Sequence, residues 1–176
     1  MKNWLLVLSL TLTQISYSVC AQQGPAGSPG ASTYQNPLPV ASGDPFVLYT
    51  NGMYYLYGTG GADKGFAAYS SPDLVNWKKE GQVYFHNNTN GWSDPATAWD
   101  GAYWAPEVYE RNGKFYLFYS AQWKVNPAKE MENFRIGVAV ADKPTGPFVD
   151  LFDRPVFAPG YPTIDAKVFF DTGGKI

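Results

Sequence analysis

The chain has 176 residues, 45% of them hydrophobic and 16% charged, a balance that is typical of a folded globular protein and excludes general disorder. Thirteen basic and fifteen acidic residues give a formal net charge of −2, without a cluster of Lys or Arg that could follow a phosphate backbone. Nucleic acid is therefore not expected as a partner.

The N-terminus has the features of a secretory signal peptide. Lys2 precedes an apolar run at residues 4–12, and Val19 and Ala21 suit cleavage after Ala21. The run is too short to span a bilayer, which needs about 20 apolar residues. We therefore expect residues 1–21 to be a signal peptide that directs the protein to an extracellular or periplasmic location.

The only cysteine, Cys20, lies beside this expected cleavage position, so the chain has no intrachain disulfide. An alternative to plain secretion is that Cys20 is the lipidated first residue of a membrane-anchored lipoprotein. Secretion is favoured because Tyr17-Ser18-Val19 fits the small-residue pattern of such processing poorly. Residues 22–35, rich in Gly, Pro and Ser, are expected to form a linker.

Short apolar and aromatic runs, separated by turns, begin at Asp44. Residues 46–49 and 53–57 flank Asn51-Gly52, which supplies the positive backbone dihedrals of a tight reversal, and they predict a β-hairpin. A third strand is predicted at residues 66–70. No helix of any length is predicted.

A polar loop after the first strands contains the only histidine, His86. Without a second His or Cys nearby, no transition-metal site is predicted, and no cofactor is expected. Asn87-Asn88-Thr89 fits a glycosylation pattern that is frequent by chance, so no role is assigned to it.

The first unit recurs 61 positions later in the chain. The matching residues are Pro45, Val47, Asn51, Gly52, Tyr55 and Leu56, which fall on Pro106, Val108, Asn112, Gly113, Tyr116 and Leu117. Trp77 and Phe148 close equivalent turns 71 positions apart, which predicts an insertion in the polar stretch at residues 124–133. Both aromatic residues are expected to be structural. A third copy begins at Asp165.

Antiparallel four-stranded units at a spacing of about 60 residues are typical of β-propeller blades, which occur in sets of about 4–8 around a channel. We therefore predict an all-β propeller fold with two blades and the first strand of a third. Because one such unit cannot bury its apolar face alone, we expect the chain to be the N-terminal part of a longer protein.

The first strands of propeller blades line the central channel, so the residues that open them converge. Asp44 opens the first unit and Asp165 the third, while Ala105, between Trp104 and Glu107, holds the corresponding position in the second. The pattern predicts two or three carboxylates and an indole at one channel mouth.

Four segments of the chain, in this order, resemble glycoside hydrolase family 43, the five-bladed propeller enzymes that include β-xylosidases, α-L-arabinofuranosidases and arabinanases. The segments are Gly43-Asp44-Pro45-Phe46-Val47, Ser70-Ser71-Pro72-Asp73-Leu74-Val75-Asn76-Trp77, Tyr103-Trp104-Ala105-Pro106-Glu107-Val108 and Ile164-Asp165-Ala166. The resemblance covers residues 36–176, which we expect to be the N-terminal part of a glycosidase propeller.

The resemblance implies inverting hydrolysis of xylose- or arabinose-containing plant polysaccharides and oligosaccharides. It makes Asp44 the general base that activates water, whereas Asp165 raises the pKa of the general acid and orients the sugar. An inverting acid and base lie about 6.5–9.5 Å apart. The acid, a glutamate in this family, is expected beyond Ile176, so the isolated chain is expected to be inactive.

Three further residues are candidates for substrate contacts. Trp104 is either a core residue or a face for a sugar ring, and Phe46 has the same two interpretations with core favoured. Glu107 is interpreted as a structural or substrate-rim residue and not as the acid. One departure is that Ala166 follows Asp165 where family members often have Pro.

Two other functions fit parts of this pattern. A non-catalytic carbohydrate-binding propeller would hold sugar in the same pocket, and carbohydrate is the expected partner in either case. Retaining enzymes similar to invertase and levansucrase also open a strand with Asp, but the segment Trp104-Ala105-Pro106-Glu107 argues against them.

Overall fold

A computed structural model describes residues 38–60, 65–85 and 101–173. The expected signal peptide, Cys20 and the expected linker lie outside these ranges, and so do His86 and Asn87. Residues 33–176 form one compact unit. In the described ranges, no helix has the length and apolar character that crossing a membrane requires.

The described residues fold into two four-stranded antiparallel sheets and contain no helix. The first sheet, called blade 1, consists of β1 (Gly43–Thr50), β2 (Met53–Thr59), β3 (Gly65–Ser71) and β4 (Lys78–Phe85). The second, called blade 2, consists of β5 (Trp104–Arg111), β6 (Lys114–Gln122), β7 (Phe134–Ala141) and β8 (Val149–Asp150). In each sheet the strands are hydrogen-bonded in chain order. The predicted all-β fold is confirmed, and both sheets fit propeller blades.

In each blade one Asn-Gly turn connects the first two strands, as predicted. The φ angles are 51° and 78° in Asn51-Gly52, and 51° and 71° in Asn112-Gly113. Positive φ at both central residues is the requirement of the type I′ reversal, which matches the twist of the flanking strands. The predicted polar insertion at residues 124–133 connects β6 to β7.

Buried aromatic side chains pack blade 1 against blade 2. Phe66 and Tyr84 of blade 1 contact Tyr103 and Tyr119 of the second repeat, with ring centroids 5.0–6.0 Å apart. Gly137 makes room for this cluster, because a Cβ atom there would lie 2.4 Å from the Tyr119 ring. The interface between the blades is therefore a close-packed core.

A carboxylate lies within this aromatic core. The hydroxyls of Tyr84 and Tyr119 donate hydrogen bonds to Asp150 at 3.0 and 2.6 Å. Burial raises the pKa of Asp150 to about 6, although the two hydrogen bonds act in the opposite direction.

Phe148 closes the turn before β8 and is fully buried. Its ring packs edge-on against Tyr57 of blade 1, with centroids 6.4 Å apart, and its backbone N–H donates to the Val83 carbonyl at 2.7 Å. Trp77, at the equivalent turn of blade 1, is half-buried, and its indole N–H donates to the Leu74 carbonyl within the same turn at 3.0 Å.

Candidate active site

The first strand of each blade is irregular at its start. The register between β1 and β2 shifts between Gly43 and Phe46, and that between β5 and β6 shifts between Trp104 and Glu107. Such bulges turn a side chain away from the regular alternation of a strand and are frequent beside active sites.

Three equivalent positions share an unusual backbone conformation. Asp44, Ala105 and Asp165 have φ angles of 44°, 44° and 60°. Residues other than glycine rarely adopt this left-handed conformation, so its recurrence supports the equivalence of the three positions in the repeat.

The two aspartates line one cavity of about 250 Å³. Its lining comes from the same positions of successive repeats, namely Asp44, Pro45, Phe46, Ala105, Pro106, Glu107, Asp165 and Ala166. Both aspartates are exposed, and they meet in this cavity although 121 positions separate them in the chain. Four of the five residues proposed for the site are thereby brought together.

Trp104, the fifth residue, is not part of this lining. Its indole stacks on Phe134 of β7, with ring centroids 4.1 Å apart and ring planes inclined by 28°. One face of the indole is therefore covered by protein, and a sugar contact through the other face remains a prediction.

A chain of two hydrogen bonds holds the Asp44 carboxylate. The Thr59 hydroxyl donates to Oδ2 of Asp44 at 2.8 Å, and the Ala105 N–H donates to the same hydroxyl at 2.8 Å. Asp44 of blade 1 is thus connected through β2 to the backbone of blade 2.

Glu107 differs from Asp44 because both of its carboxylate oxygens are engaged. The Tyr109 hydroxyl donates to one oxygen, and the Lys167 ammonium lies 3.2 Å from the other. The bond to Glu107 raises the pKa of Lys167, whose ammonium also lies 5.3 Å from the centroid of the Phe46 ring. Both oxygens of Glu107 are thus held by protein groups at the rim of the cavity.

Asp165 is attached to blade 2 as Ala105 is attached to blade 1. Its backbone N–H donates to the Ser120 hydroxyl at 2.9 Å, and the Val168 N–H donates to the Tyr109 hydroxyl at 3.3 Å. Residues 162–171 form no β-ladder in the described part of the chain. The Thr163 N–H donates to the Phe134 carbonyl of β7 at 3.0 Å, and the residues after Asp165 lie beside β5. The predicted third inner strand is therefore present only as an unpaired segment.

The sequence patterns single out neither Thr59 nor Lys167. A signal for Thr59 is nevertheless present in the sequence, because the residue 61 positions later is Ser120, whose side chain also has a hydroxyl group. The sequence contains no signal for Lys167, because its partner Glu107 lies 60 positions away and no sequence pattern relates the two residues. Within the described ranges, no group of three or more His, Cys, Asp or Glu side chains could hold a metal ion.

Comparison with known proteins assigns the chain to a family. The sequence profile of glycosyl hydrolases family 43 matches residues 34–176. The arabinoxylan arabinofuranohydrolase of Bacillus subtilis is 31% identical over 160 residues, which cover 74% of this chain and 29% of that protein. The extracellular exo-α-(1→5)-L-arabinofuranosidase ArbA of Cellvibrio japonicus is 36% identical over 78 residues, 44% of this chain and 21% of that protein.

This chain is also similar in fold to a solved structure. The crystal structure of a thermostable family-43 glycoside hydrolase superimposes with a TM-score of 0.69 at 36% identity, covering 81% of this chain and 42% of the other. The chain thus spans less than half the length of these relatives. With a profile match to residues 34–176 and a structural match to a solved member that covers 81% of it, the chain belongs to glycosyl hydrolases family 43.

Proposed function

We propose that the protein is a glycosidase that hydrolyses O-glycosidic bonds of xylose- or arabinose-containing plant polysaccharides and oligosaccharides. The observation that carries the proposal is the cavity lined by both Asp44 and Asp165 in a chain of this family. The pentose substrates are supported by the names of relatives, which include an arabinofuranosidase and a xylosidase/arabinosidase.

The proposed reaction inverts the configuration at the anomeric carbon. Asp44 accepts a proton from a water molecule whose oxygen forms the new bond to the anomeric carbon, while a general acid gives a proton to the departing oxygen. Asp165 raises the pKa of the acid through its negative charge and orients the sugar.

Phe46, Glu107 and Trp104 are proposed as the substrate-contacting residues. Phe46 and Glu107 line the cavity beside the aspartates, which supports a contact with a sugar in that cavity. Trp104 directly precedes Ala105, a lining residue, and keeps one indole face away from Phe134. Apolar ring faces pack well against the C–H groups of sugars.

We further propose that residues 1–21 direct secretion and that residues 22–35 connect the signal peptide to the propeller. The apolar run at residues 4–12 followed by Val19 and Ala21 supports the first point. An extracellular relative, ArbA, supports the location.

The proposal is tested with protein expressed from the complete reading frame that contains this chain. Hydrolysis of 4-nitrophenyl xyloside and arabinofuranoside is measured for the unaltered protein, for Asp44→Asn and for the control Asp153→Asn. Because an amide cannot accept the proton of water, Asp44→Asn should lower kcat by about 10²–10⁴-fold. The exposed Asp153, which lies outside the cavity lining, should be replaceable without loss.

Two results would contradict the proposal. Full activity of Asp44→Asn would remove its role as base. Tight binding of xylan or arabinan oligosaccharides without any hydrolysis would favour a non-catalytic carbohydrate-binding propeller.

A further inference from the structure

The hydroxyl of Thr59 has hydrogen-bond partners on two blades. It lies at the end of β2, opposite Gly43 of β1, and contacts both the Asp44 carboxylate and the Ala105 N–H at 2.8 Å. Among the described residues, no other side chain forms a hydrogen bond with the Asp44 carboxylate.

These two contacts determine which way the hydroxyl points. A hydroxyl group has one proton to donate and lone pairs to accept, and the Ala105 N–H can only donate. Because the N–H occupies a lone pair of Oγ1, the Thr59 proton is directed to Oδ2 of Asp44. A hydrogen bond to an ionised carboxylate is stronger than one between neutral groups, so this contact fixes the carboxylate effectively.

We propose that Thr59 is a positioning residue for the general base. Its hydroxyl holds Oδ2, so that Oδ1 is the oxygen left to accept the proton of the attacking water. Asp44 is exposed and lies in the irregular start of β1, so a hydrogen bond is needed to restrict the orientation of its carboxylate. This inference rests on the proposed function of Asp44.

The chain offers a matched pair for separating positioning from blade packing. Thr50, at the opposite end of β1, donates from its hydroxyl to the Glu110 carboxylate of β5. Like the bond between Thr59 and Ala105, this bond joins a threonine of blade 1 to a residue of blade 2, but neither Thr50 nor Glu110 lines the cavity. Loss of an inter-blade hydrogen bond as such should therefore affect Thr50→Val and Thr59→Val alike.

The experiment compares Thr59→Val, Thr59→Ser and Thr50→Val in protein expressed from the complete reading frame. Thr59→Val keeps the shape of the side chain but lacks the hydroxyl, so kcat should fall by roughly 10–100-fold with little change in KM. Thr59→Ser restores the hydroxyl and should recover most of the activity. Thr50→Val should retain the kcat of the unaltered protein.

A series of aryl glycosides with leaving groups of different acidity distinguishes the base side from the acid side. Protonation matters less as the leaving group improves, so an acid-side defect shrinks along the series. The Thr59→Val defect should stay the same size, because activation of water is still required. A defect that disappears with good leaving groups would overturn the proposal.

The remaining outcomes are also decisive. Equal kcat losses in Thr59→Val and Thr50→Val, or no recovery in Thr59→Ser, would reduce Thr59 to a packing residue. If Thr59→Val fails to fold, Thr59→Cys, which offers only a weak S–H donor, should show the same loss. An inactive unaltered protein would instead refute the proposed function, whereas an active one with an impaired Asp44→Asn and a normal Thr59→Val would refute this inference alone.

Discussion

At the scale of single residues, folding changes the protonation chemistry of Asp150. Its carboxylate lies among Tyr84, Tyr103 and Tyr119, and burial raises its pKa from 3.8 to about 6. Between these two values the folded protein binds more protons than the unfolded chain, so stability must decrease as pH rises. The aromatic core is therefore more stable when Asp150 carries its proton.

The expected loss of stability from this group is roughly 3 kcal/mol between pH 4 and pH 7. It should appear as a falling urea midpoint over that interval. In Asp150→Asn, whose amide has no proton to lose, this part of the pH dependence should disappear, while the exposed control Asp153→Asn should keep it. An unchanged slope in Asp150→Asn would show that Asp150 titrates normally in the folded protein.

Asp44 shows what residue-level reasoning could and could not predict. Asp before Pro at the start of a repeat identifies the residue as a site candidate, and the cavity contains it. The bond from Thr59 could not be predicted, because the orientation of the Thr59 hydroxyl depends on its contact with Ala105 of the next repeat.

At the scale of strands and turns, regular sequence patterns were sufficient to predict the hairpins. They were not sufficient to predict the outer strands, β4 and β8. The Asn-Gly turns and the alternating aromatic residues predict β1, β2, β5 and β6. The outer strands lack such a pattern. β4 contains Gly81 at a φ of 102° and shifts register twice against β3, while β8 has only two residues.

Phe148 and Trp77 allow a test of how the blade-closing turns contribute to stability. Phe148 is fully buried against Tyr57 of the neighbouring blade, whereas Trp77 is half-buried and its indole N–H bonds within its own turn. Phe148→Ala should lower the free energy of unfolding by about 3–5 kcal/mol, and Trp77→Ala by clearly less. Urea unfolding measures both, and equal losses would contradict a role for Phe148 in joining the blades.

At the scale of the whole molecule, the repeat was the most informative feature of the sequence. An offset of 61 positions predicts two blades, and propeller geometry then brings Asp44 and Asp165 to one cavity. Individual side-chain contacts could not be predicted from the repeat. The stacking of Trp104 on Phe134 and the pairing of Lys167 with Glu107 depend on rotamers that no periodicity specifies.

In the proposed mechanism, Asp44 activates water for attack on the side of the sugar opposite the leaving group. Proton NMR of the first sugar released by protein from the complete reading frame tests this role, because the anomeric signal is read before mutarotation. We expect the released sugar to have the anomeric configuration opposite to that of the substrate. Release with retained configuration would contradict it, since water activated by Asp44 could not then have made the first attack.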